Sequence, residues 1–465
     1  MTKNKLSYIA FLSVIAIVQS CSTTKNYKDA DLSLNKLDTM YFDSSTNDEM
    51  VTISYDKYFN DDVLNQLIKE VLENNNDLID ASENLKASEA LLKSTKLNYL
   101  PDVNLQINPS VQKLSKNSMI GGFAESLTYQ DYTIGPALSW ELDLWGKLKG
   151  ERAEAVSLYL AQSESIRAIK IQLITQTATA YYNLIFLQNQ QNQIKVLKDF
   201  ANQSVQLIEK QYNYGDASSI AVKQAKDQVF ELEKTEVELS QSIKNQEVAL
   251  STLMGKYPDK FSLASDITFY NFSINKDSQI TVNQLKNRPD VKRAELNLRA
   301  ANARVGINKA AMYPSVNISF QGGLNSVTAG NIFNVPASLF GNLAGGITQP
   351  IFNKRRLKSN SEQAVHLREA SIANFKQEVV KSVAEVTVAL NNLNYLEQQQ
   401  AVTKDKLDNL VHTIEDAQKL YQYGEITYLE ILAIQQLYIQ ANLGYLQVHR
   451  NTIDANIYLF KAIGG

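Results

Sequence analysis

The chain has 465 residues, 44% of them hydrophobic and 20% charged, with a formal net charge of −3. This balance argues against nucleic-acid binding, which needs an excess of Lys and Arg. A single Cys excludes an intrachain disulfide, three scattered His residues give no metal or catalytic cluster, and no phosphate-binding Gly loop is found. We therefore predict no enzyme, no metal site and no cofactor.

The first predicted element is a secretory signal peptide at residues 1–20. Two Lys residues precede the apolar run Leu6–Val18, which is too short for an ordinary spanning helix of about twenty residues. Cys21 follows, and the arrangement resembles the lipobox of bacterial lipoproteins, in which the thiol carries the lipid. An ordinary signal peptide with an incidental Cys is the alternative. We predict lipidation of Cys21 and a polar tether over residues 21–60.

Long amphipathic helices are predicted over most of the remaining chain. Apolar residues recur every seven positions from about 62 to 98 and from about 354 to 423, which is typical of coiled coils. About seventy residues of helix would be roughly 100 Å long, which exceeds a globular domain. Further helices are predicted at about 147–212, 218–254 and 427–462.

The sequence contains two copies of one unit, predicted at residues 61–255 and 284–465 with a segment of mixed structure at 256–283 between them. Pro101 in the first copy matches Pro314 in the second at an offset of 213 residues. Each copy is predicted as a helix, two strands, a long helix, a turn and a last helix.

Four strands are predicted, at about residues 102–113, 129–143, 315–326 and 338–350. Val103–Asn108 alternates apolar residues with amides, and the other strands alternate with more exceptions. Such alternation fits a soluble sandwich, with its polar side chains in water, or a membrane barrel, with its apolar side chains in lipid. The signal peptide, the lipid anchor and the helix lengths favour the barrel.

A barrel built from these strands must be shared between chains. Four strands cannot close, because about eight are needed to surround even a filled interior, and three chains would supply twelve. Pro101 and Pro314 are predicted to mark the helix–strand junctions, where the bilayer meets the periplasm. Trp140 and Trp145 are assigned either to an interfacial aromatic belt or to packing against neighbouring helices.

Several segments carry a family resemblance. They are "RPDVKRAELNLRAANARVGINKAAMYPSV" from Arg288, "SWELDLWGKLKGERAEA" (Ser139–Ala155), "TQPIFNKRRLKSN" (Thr348–Asn360) and the final "LFKAIGG". The chain resembles the TolC family of outer-membrane efflux proteins, and within it the lipidated outer-membrane factors of resistance-nodulation-division pumps. The resemblance covers nearly the whole mature chain.

The resemblance implies a mainly α fold with membrane β, in which each protomer of a homotrimer contributes four strands to a twelve-stranded barrel that is continued by a helical periplasmic barrel. It further implies a lipid-anchored protein of the outer membrane, docking to a periplasmic adaptor and an inner-membrane transporter. The channel would be a passive exit duct for drugs or other small molecules.

The resemblance also implies a periplasmic gate near the second helical turn. Tyr421 and Glu430 stand where some family members carry a gate tyrosine and a constricting acid. Ile426 stands where such members can carry a gating arginine, and Ala433 stands where they can carry a second acid. The gate would therefore be held more by apolar contacts than by salt bridges. For Glu430 the competing interpretation is a solvated helix face, and for Tyr421 it is core packing.

The two helical turns are interpreted as the tip that faces the adaptor. They carry Gly215 and Asp216 in the first copy and Gly424 and Glu425 in the second. A trimer would present six such turns in a ring of pseudo-sixfold symmetry. Plain turns without a partner are the alternative interpretation.

Two other functions fit part of the sequence. A lipid-anchored periplasmic coiled-coil scaffold without a pore explains the seven-residue repeats and Cys21, although it leaves the paired strands unexplained. The outer duct of type I protein secretion shares the predicted fold. The lipobox and the Arg-Pro-Asp segment favour small-molecule efflux.

Overall fold

The computed structural model describes residues 54–119, 122, 128–261 and 285–465. In chain order the elements are α1 (Tyr55–Phe59), α2 (Asp62–Asn74), α3 (Asn76–Leu97), β1 (Asp102–Lys113), β2 (Thr128–Leu142), α4 (Lys147–Tyr214), α5 (Ser219–Leu253), α6 (Pro289–Ala310), β3 (Ser315–Ser326), β4 (Leu339–Thr348), α7 (Arg356–Gln422) and α8 (Tyr428–Ile463). The predicted signal peptide, Cys21 and residues 262–283 of the predicted mixed segment lie outside the described residues.

The two longest helices are α4, with 68 residues, and α7, with 67 residues. At 1.5 Å per residue each is about 100 Å long. Strands β1 and β3 coincide with their predicted ranges, and the ends of β2 and β4 differ by one or two residues. No helix of the described residues has both the length and the apolar character needed to cross a bilayer.

The first compact unit comprises Asn84–Gln162 and Arg293–Phe375. Its four strands form one antiparallel sheet in the order β1-β2-β3-β4. Each repeat contributes one hairpin, and β2 pairs with β3 to join the two hairpins. The internal duplication seen in the sequence therefore produces a single continuous sheet.

Both helix–strand junctions of this unit are held by an indole. The Trp140 Nε1–H donates to the Tyr99 carbonyl at 2.9 Å, two residues before Pro101. The Trp145 Nε1–H donates to the Pro314 carbonyl at 2.6 Å, and its ring stacks on Tyr313 with centroids 5.0 Å apart. Because proline ends each helix and leaves carbonyls without helical partners, these indoles satisfy acceptors that would otherwise need water. Both indoles thus bind backbone carbonyls at the junctions, while Trp140 remains 36% exposed, and the choice between an aromatic belt and helix packing stays a prediction.

The second compact unit is helical, and its main core includes the N-terminal helix α1. Tyr58 and Phe59 pack on Phe460, with ring centroids 4.9 and 5.4 Å apart. The Tyr58 hydroxyl donates to the Asn456 carbonyl at 2.6 Å, and burial raises the pKa of this hydroxyl. The prediction of a tether extending to residue 60 is therefore wrong at its end. The two buried rings fix the chain from Tyr55 onward, because they remove large apolar surfaces from water.

The predicted single helix from about 62 to 98 is also wrong, because it breaks at Asn75. This residue is extended, with φ −69° and ψ 125°. Its Oδ1 accepts from the backbone N–H groups of Asp77 and Leu78, at 3.0 and 3.3 Å, and caps α3. Its Nδ2 donates to the Leu253 carbonyl at 3.0 Å. Asn is a favoured N-cap, and here the cap replaces continuous helix.

A buried arginine joins three elements of the same unit. Arg288 is 4% exposed and donates to both carboxylate oxygens of Asp290, at 3.1 and 2.7 Å. It also donates to Glu385 Oε2 on α7 at 2.5 Å and to the Ala462 carbonyl near the end of α8 at 2.7 Å. A buried guanidinium is stable only when paired in this way. The Arg-Pro-Asp segment therefore fixes the start of α6 against α7 and α8.

Candidate functional site

One face of the sheet is apolar across all four strands. The register places Leu138 opposite Phe320, and Phe320 opposite Leu343. The same face carries Val103, Leu105 and Ile107 of β1, Ile134 of β2, Val316, Ile318 and Leu324 of β3, and Leu339 and Ile347 of β4. Leu105 is 71% exposed and Ile347 is 75% exposed. A continuous exposed apolar face is unfavourable in water and favourable against lipid.

The opposite face is polar and hydrogen-bonded. Gln321 Nε2 donates to Gln106 Oε1 at 3.3 Å. Gln106 lies opposite Gly135 of β2, where the missing side chain leaves room for the amides of β1 and β3 to meet. Asn325 Nδ2 donates to Asp131 Oδ1 at 2.6 Å and to Thr133 Oγ1 at 2.9 Å. The sheet therefore has the two chemically different faces of a barrel wall that separates lipid from a watery lumen.

Each of the two outer strands has one edge without a neighbouring strand in the described part of the chain. Within the described residues, β1 pairs only with β2 and β4 pairs only with β3. In hydrocarbon, each unpaired backbone N–H or C=O costs several kcal/mol. Both edges consequently require strands from other copies if the apolar face is to contact lipid.

The two helical turns predicted from the repeat have the same geometry. Gly215 and Gly424 take φ values of +87° and +77°, a region that favours glycine. The Asp216 N–H donates to the Gln211 carbonyl at 2.9 Å, and the Glu425 N–H donates to the Leu420 carbonyl at 3.0 Å. Each bond runs from the residue after the turn glycine to the carbonyl five residues earlier, in the last helical turn, which is the pattern of a Schellman motif.

An aromatic side chain precedes each turn glycine. Tyr214 is 83% exposed and Tyr423 is 79% exposed. We call residues 214–216 and 423–425 the tip turns. A Cβ at either tip glycine would meet no heavy atom within 4 Å among the described residues. Both tip turns are therefore open surfaces of the helical unit.

The structure gives the two predicted gate residues specific partners. Glu430 is the third residue of α8 and forms a capping box, because its Oε2 accepts from the Thr427 N–H at 2.7 Å and from Thr427 Oγ1 at 2.9 Å. The Thr427 N–H, followed by its hydroxyl, holds the pKa of the Glu430 carboxyl below its ordinary value, so the carboxylate is ionised at neutral pH. The Tyr421 hydroxyl donates to Gln211 Oε1 in the other helical hairpin.

Several of these partners were missed by sequence reasoning. Tyr421 matches Tyr212 in the repeat, and its partner Gln211 is the residue before that match, so the pairing across hairpins leaves no local signal. The Thr427–Glu430 spacing is the sequence signature of a capping box and could have been recognised. Among the described residues, no group of three or more His, Cys, Asp or Glu side chains could hold a metal ion.

Comparison with known proteins gives consistent matches. A profile of the family described as "Outer membrane efflux protein" matches residues 67–256 and 281–465. "Probable outer membrane lipoprotein SilC" of Salmonella typhimurium is 28% identical over 413 residues, covering 88% of this chain and 87% of SilC. "Cation efflux system protein CusC" of Escherichia coli O157:H7 is 29% identical over 415 residues, covering 88% of this chain and 87% of CusC.

The fold is also similar to a solved structure. A crystal structure of CusC matches with a TM-score of 0.83 and 26% sequence identity, covering 91% of this chain and 96% of that chain. The similarity therefore includes the strands, the long helices and both repeats.

Proposed function

The chain belongs to the outer membrane efflux protein family, and we propose on this basis that three copies form the passive exit duct of a tripartite efflux system. The observation that carries the proposal is the sheet with one apolar face, one polar face and two unpaired edges. Such a sheet is stable in a bilayer only as part of a closed barrel. Three chains of four strands give the twelve strands of a barrel with a hollow lumen.

Several predictions from the sequence are confirmed. The TolC-like family, the mainly α two-repeat fold with its four strands, and the outer-membrane location agree with the family match and with the CusC structure. The chain functions as an outer-membrane efflux channel, and its family is one of channels rather than enzymes. It works with an adaptor and an inner-membrane pump.

The subunit number can be measured directly. We expect the native mass of the protein, extracted in mild detergent and corrected for bound detergent, to equal three chains. A stable folded single chain would leave both sheet edges open and would contradict the shared barrel. The lipid-anchored scaffold without a pore would then be the better explanation.

The finer partner assignments follow from the family resemblance and from surface geometry. We assign the inner-membrane partner to the resistance-nodulation-division class and place adaptor contact at the tip turns. The two equivalent Schellman turns with their exposed tyrosines support this placement, because six similar surfaces in a trimer suit a ring of adaptor subunits. Each turn also carries an acidic residue directly after its glycine, Asp216 in the first copy and Glu425 in the second.

Lipid attachment at Cys21 is supported by the lipobox-like sequence and by the relative that is named a lipoprotein. Replacing Cys21 with Ser should abolish incorporation of labelled fatty acid in cells, because no other thiol exists in the chain. The wild-type chain under the same labelling is the control. Equal labelling of the variant would contradict lipidation at this position.

A gating role for Glu430 can be separated from its role as a helix cap. In Glu430→Gln the side chain keeps its length and its hydrogen-bonding oxygen, so the capping box can persist while the charge is lost. Glu430→Ala removes both the charge and the cap. If three carboxylates line the pore, both variants should show weaker block by divalent cations in single-channel recordings.

The pair of variants gives a clear outcome in either direction. An unchanged block in both variants would leave Glu430 as a helix cap only. If the block by divalent cations changed only in Glu430→Ala, the cause would be the lost helix cap and not a lost charge in the pore.

A further inference from the structure

The helical unit contains a partly open cavity of about 280 Å³. It lies between the hairpin of α4 and α5 and the hairpin of α7 and α8. Leu197 and Phe200 line it from α4, Leu232 from α5, Val411 from α7, and Gln436 and Ile439 from α8. All four helices therefore contribute to its wall.

The cavity lies where the two hairpins fail to close on each other. It borders the apolar cluster of Ile194, Leu197 and Leu232 on α4 and α5. Across it, Gln436 Nε2 donates to Gln228 Oε1 at 3.4 Å, which is a long and weak hydrogen bond. Tyr438 and Ile439 of α8 pack against this cluster, so the hairpins meet beside the cavity, and the weak amide pair spans the cavity itself.

The size and the lining of the cavity define what fits. Most lining side chains are apolar, and several glutamines add amide groups. An apolar cavity of about 150 Å³ holds one benzene molecule, so nearly twice that volume suits roughly two fused rings. Apolar walls with a few convergent polar groups are the usual composition of a small-molecule site.

The charges of the wall favour a neutral ligand. Among the described residues that line the cavity, only Glu415 carries a charge, and its side chain is 61% exposed. Its carboxylate lies 3.9 Å from His412 Nδ1. A charged ligand would therefore be buried without a buried partner, which is strongly unfavourable.

We propose that this cavity binds a compact, uncharged aromatic molecule of about two fused rings that carries one hydrogen-bonding group. The rings occupy the apolar part beside Leu197 and Leu232, and the polar group replaces the weak contact between Gln228 and Gln436. Such a ligand contacts both hairpins at once and fixes their separation. The site goes beyond the efflux function, because it is built within one chain.

The probe for a direct test is 2-naphthol, titrated calorimetrically into the full-length protein in lipid nanodiscs with empty nanodiscs as reference. We expect saturable binding of one molecule per chain with a Kd on the order of 0.1 mM, given typical affinities per non-hydrogen atom. Ala201→Phe, on the α4 wall, and Val411→Phe, on the α7 wall, should each weaken binding at least about tenfold by filling the cavity.

A matched control and a chemical comparison complete the test. Val402→Phe makes the same substitution on an exposed part of α7 outside the cavity, and it should bind like the wild type. Gln436→Met should remove the preference for 2-naphthol over naphthalene. The proposal would be overturned if titration of the protein released no more heat than titration of empty nanodiscs. It would also be overturned if Ala201→Phe, Val411→Phe and Val402→Phe bound 2-naphthol with equal affinity. Because the two cavity-filling variants lie on different helices, the test still gives a result if one of them fails to fold.

Discussion

Replacing Phe320 with Arg is expected to abolish assembly of the channel. Phe320 lies at the middle of β3 on the apolar face, between Leu138 and Leu343. An arginine facing lipid near the bilayer midplane costs about 2–4 kcal/mol per chain, and three copies in one barrel multiply this to roughly 6–12 kcal/mol. We expect almost no trimer in detergent extracts of the outer membrane, measured by native mass and by heat-resistant migration in gels.

The adjacent residue provides the matched control. Gln321 follows Phe320 on the same strand but belongs to the polar face, where it contacts Gln106. Gln321→Arg adds the same charge and should leave the trimer yield nearly unchanged while shifting ion selectivity of the pore. Equal loss of trimer in both variants would show that the two faces do not differ in environment, and the membrane orientation assigned to the sheet would be wrong.

Replacing Arg288 with Met should destabilise the helical unit strongly. The change leaves the carboxylates of Asp290 and Glu385 and the Ala462 carbonyl without their cationic donor. Removing one partner of a buried ion pair typically costs about 3–5 kcal/mol. For a domain of 150–250 residues, each kcal/mol lowers Tm by roughly 2–4 °C. Thermal melting followed by far-ultraviolet circular dichroism measures the loss.

Arg299→Met is the control for this prediction. Arg299 lies on α6, the helix that begins directly after Arg288, but its side chain is exposed and pairs with Glu295 one turn away. Loss of such a surface pair is worth at most about 1 kcal/mol. Similar melting of Arg288→Met and Arg299→Met would refute the stabilising role of the buried network.

The same network predicts how stability depends on pH. Burial alone would raise the pKa of the Asp290 carboxyl, but the hydrogen bonds and charge of Arg288 bring it below its ordinary value. A carboxyl with a lowered pKa stabilises the fold above its unfolded pKa, and this contribution is lost as pH falls through the lowered value. We expect Tm to fall less on acidification in Arg288→Met than in the wild type.

The broad architecture could be predicted from the sequence because it depends on periodicity. The seven-residue repeat in α7, the alternation in β1 and the match of Pro101 to Pro314 are local or repeated signals. Helices and strands respond directly to such patterns. Prolines at both junctions placed the change from helix to strand within a few residues.

Contacts between distant positions could not be predicted in this way. Glu385 is 97 residues from Arg288, and nothing in either local sequence indicates their pairing. Asn75, where the helix breaks, also donates to the carbonyl of Leu253, which lies 178 residues away. The cavity results from imperfect packing between hairpins, which depends on three-dimensional arrangement rather than pattern. Tertiary contacts override local propensity at such places.

The unpaired edges of the sheet have a genetic consequence. Since β1 and β4 are different surfaces, a ring of identical chains joins the β4 of one to the β1 of the next, and every seam repeats. A single variant chain with a damaged β1 edge therefore opens one seam of any ring that it enters. When variant and wild-type chains are made equally and mix at random, only about one ring in eight is wholly wild type. Edge variants should consequently act as dominant inhibitors in a cell that also carries the normal copy.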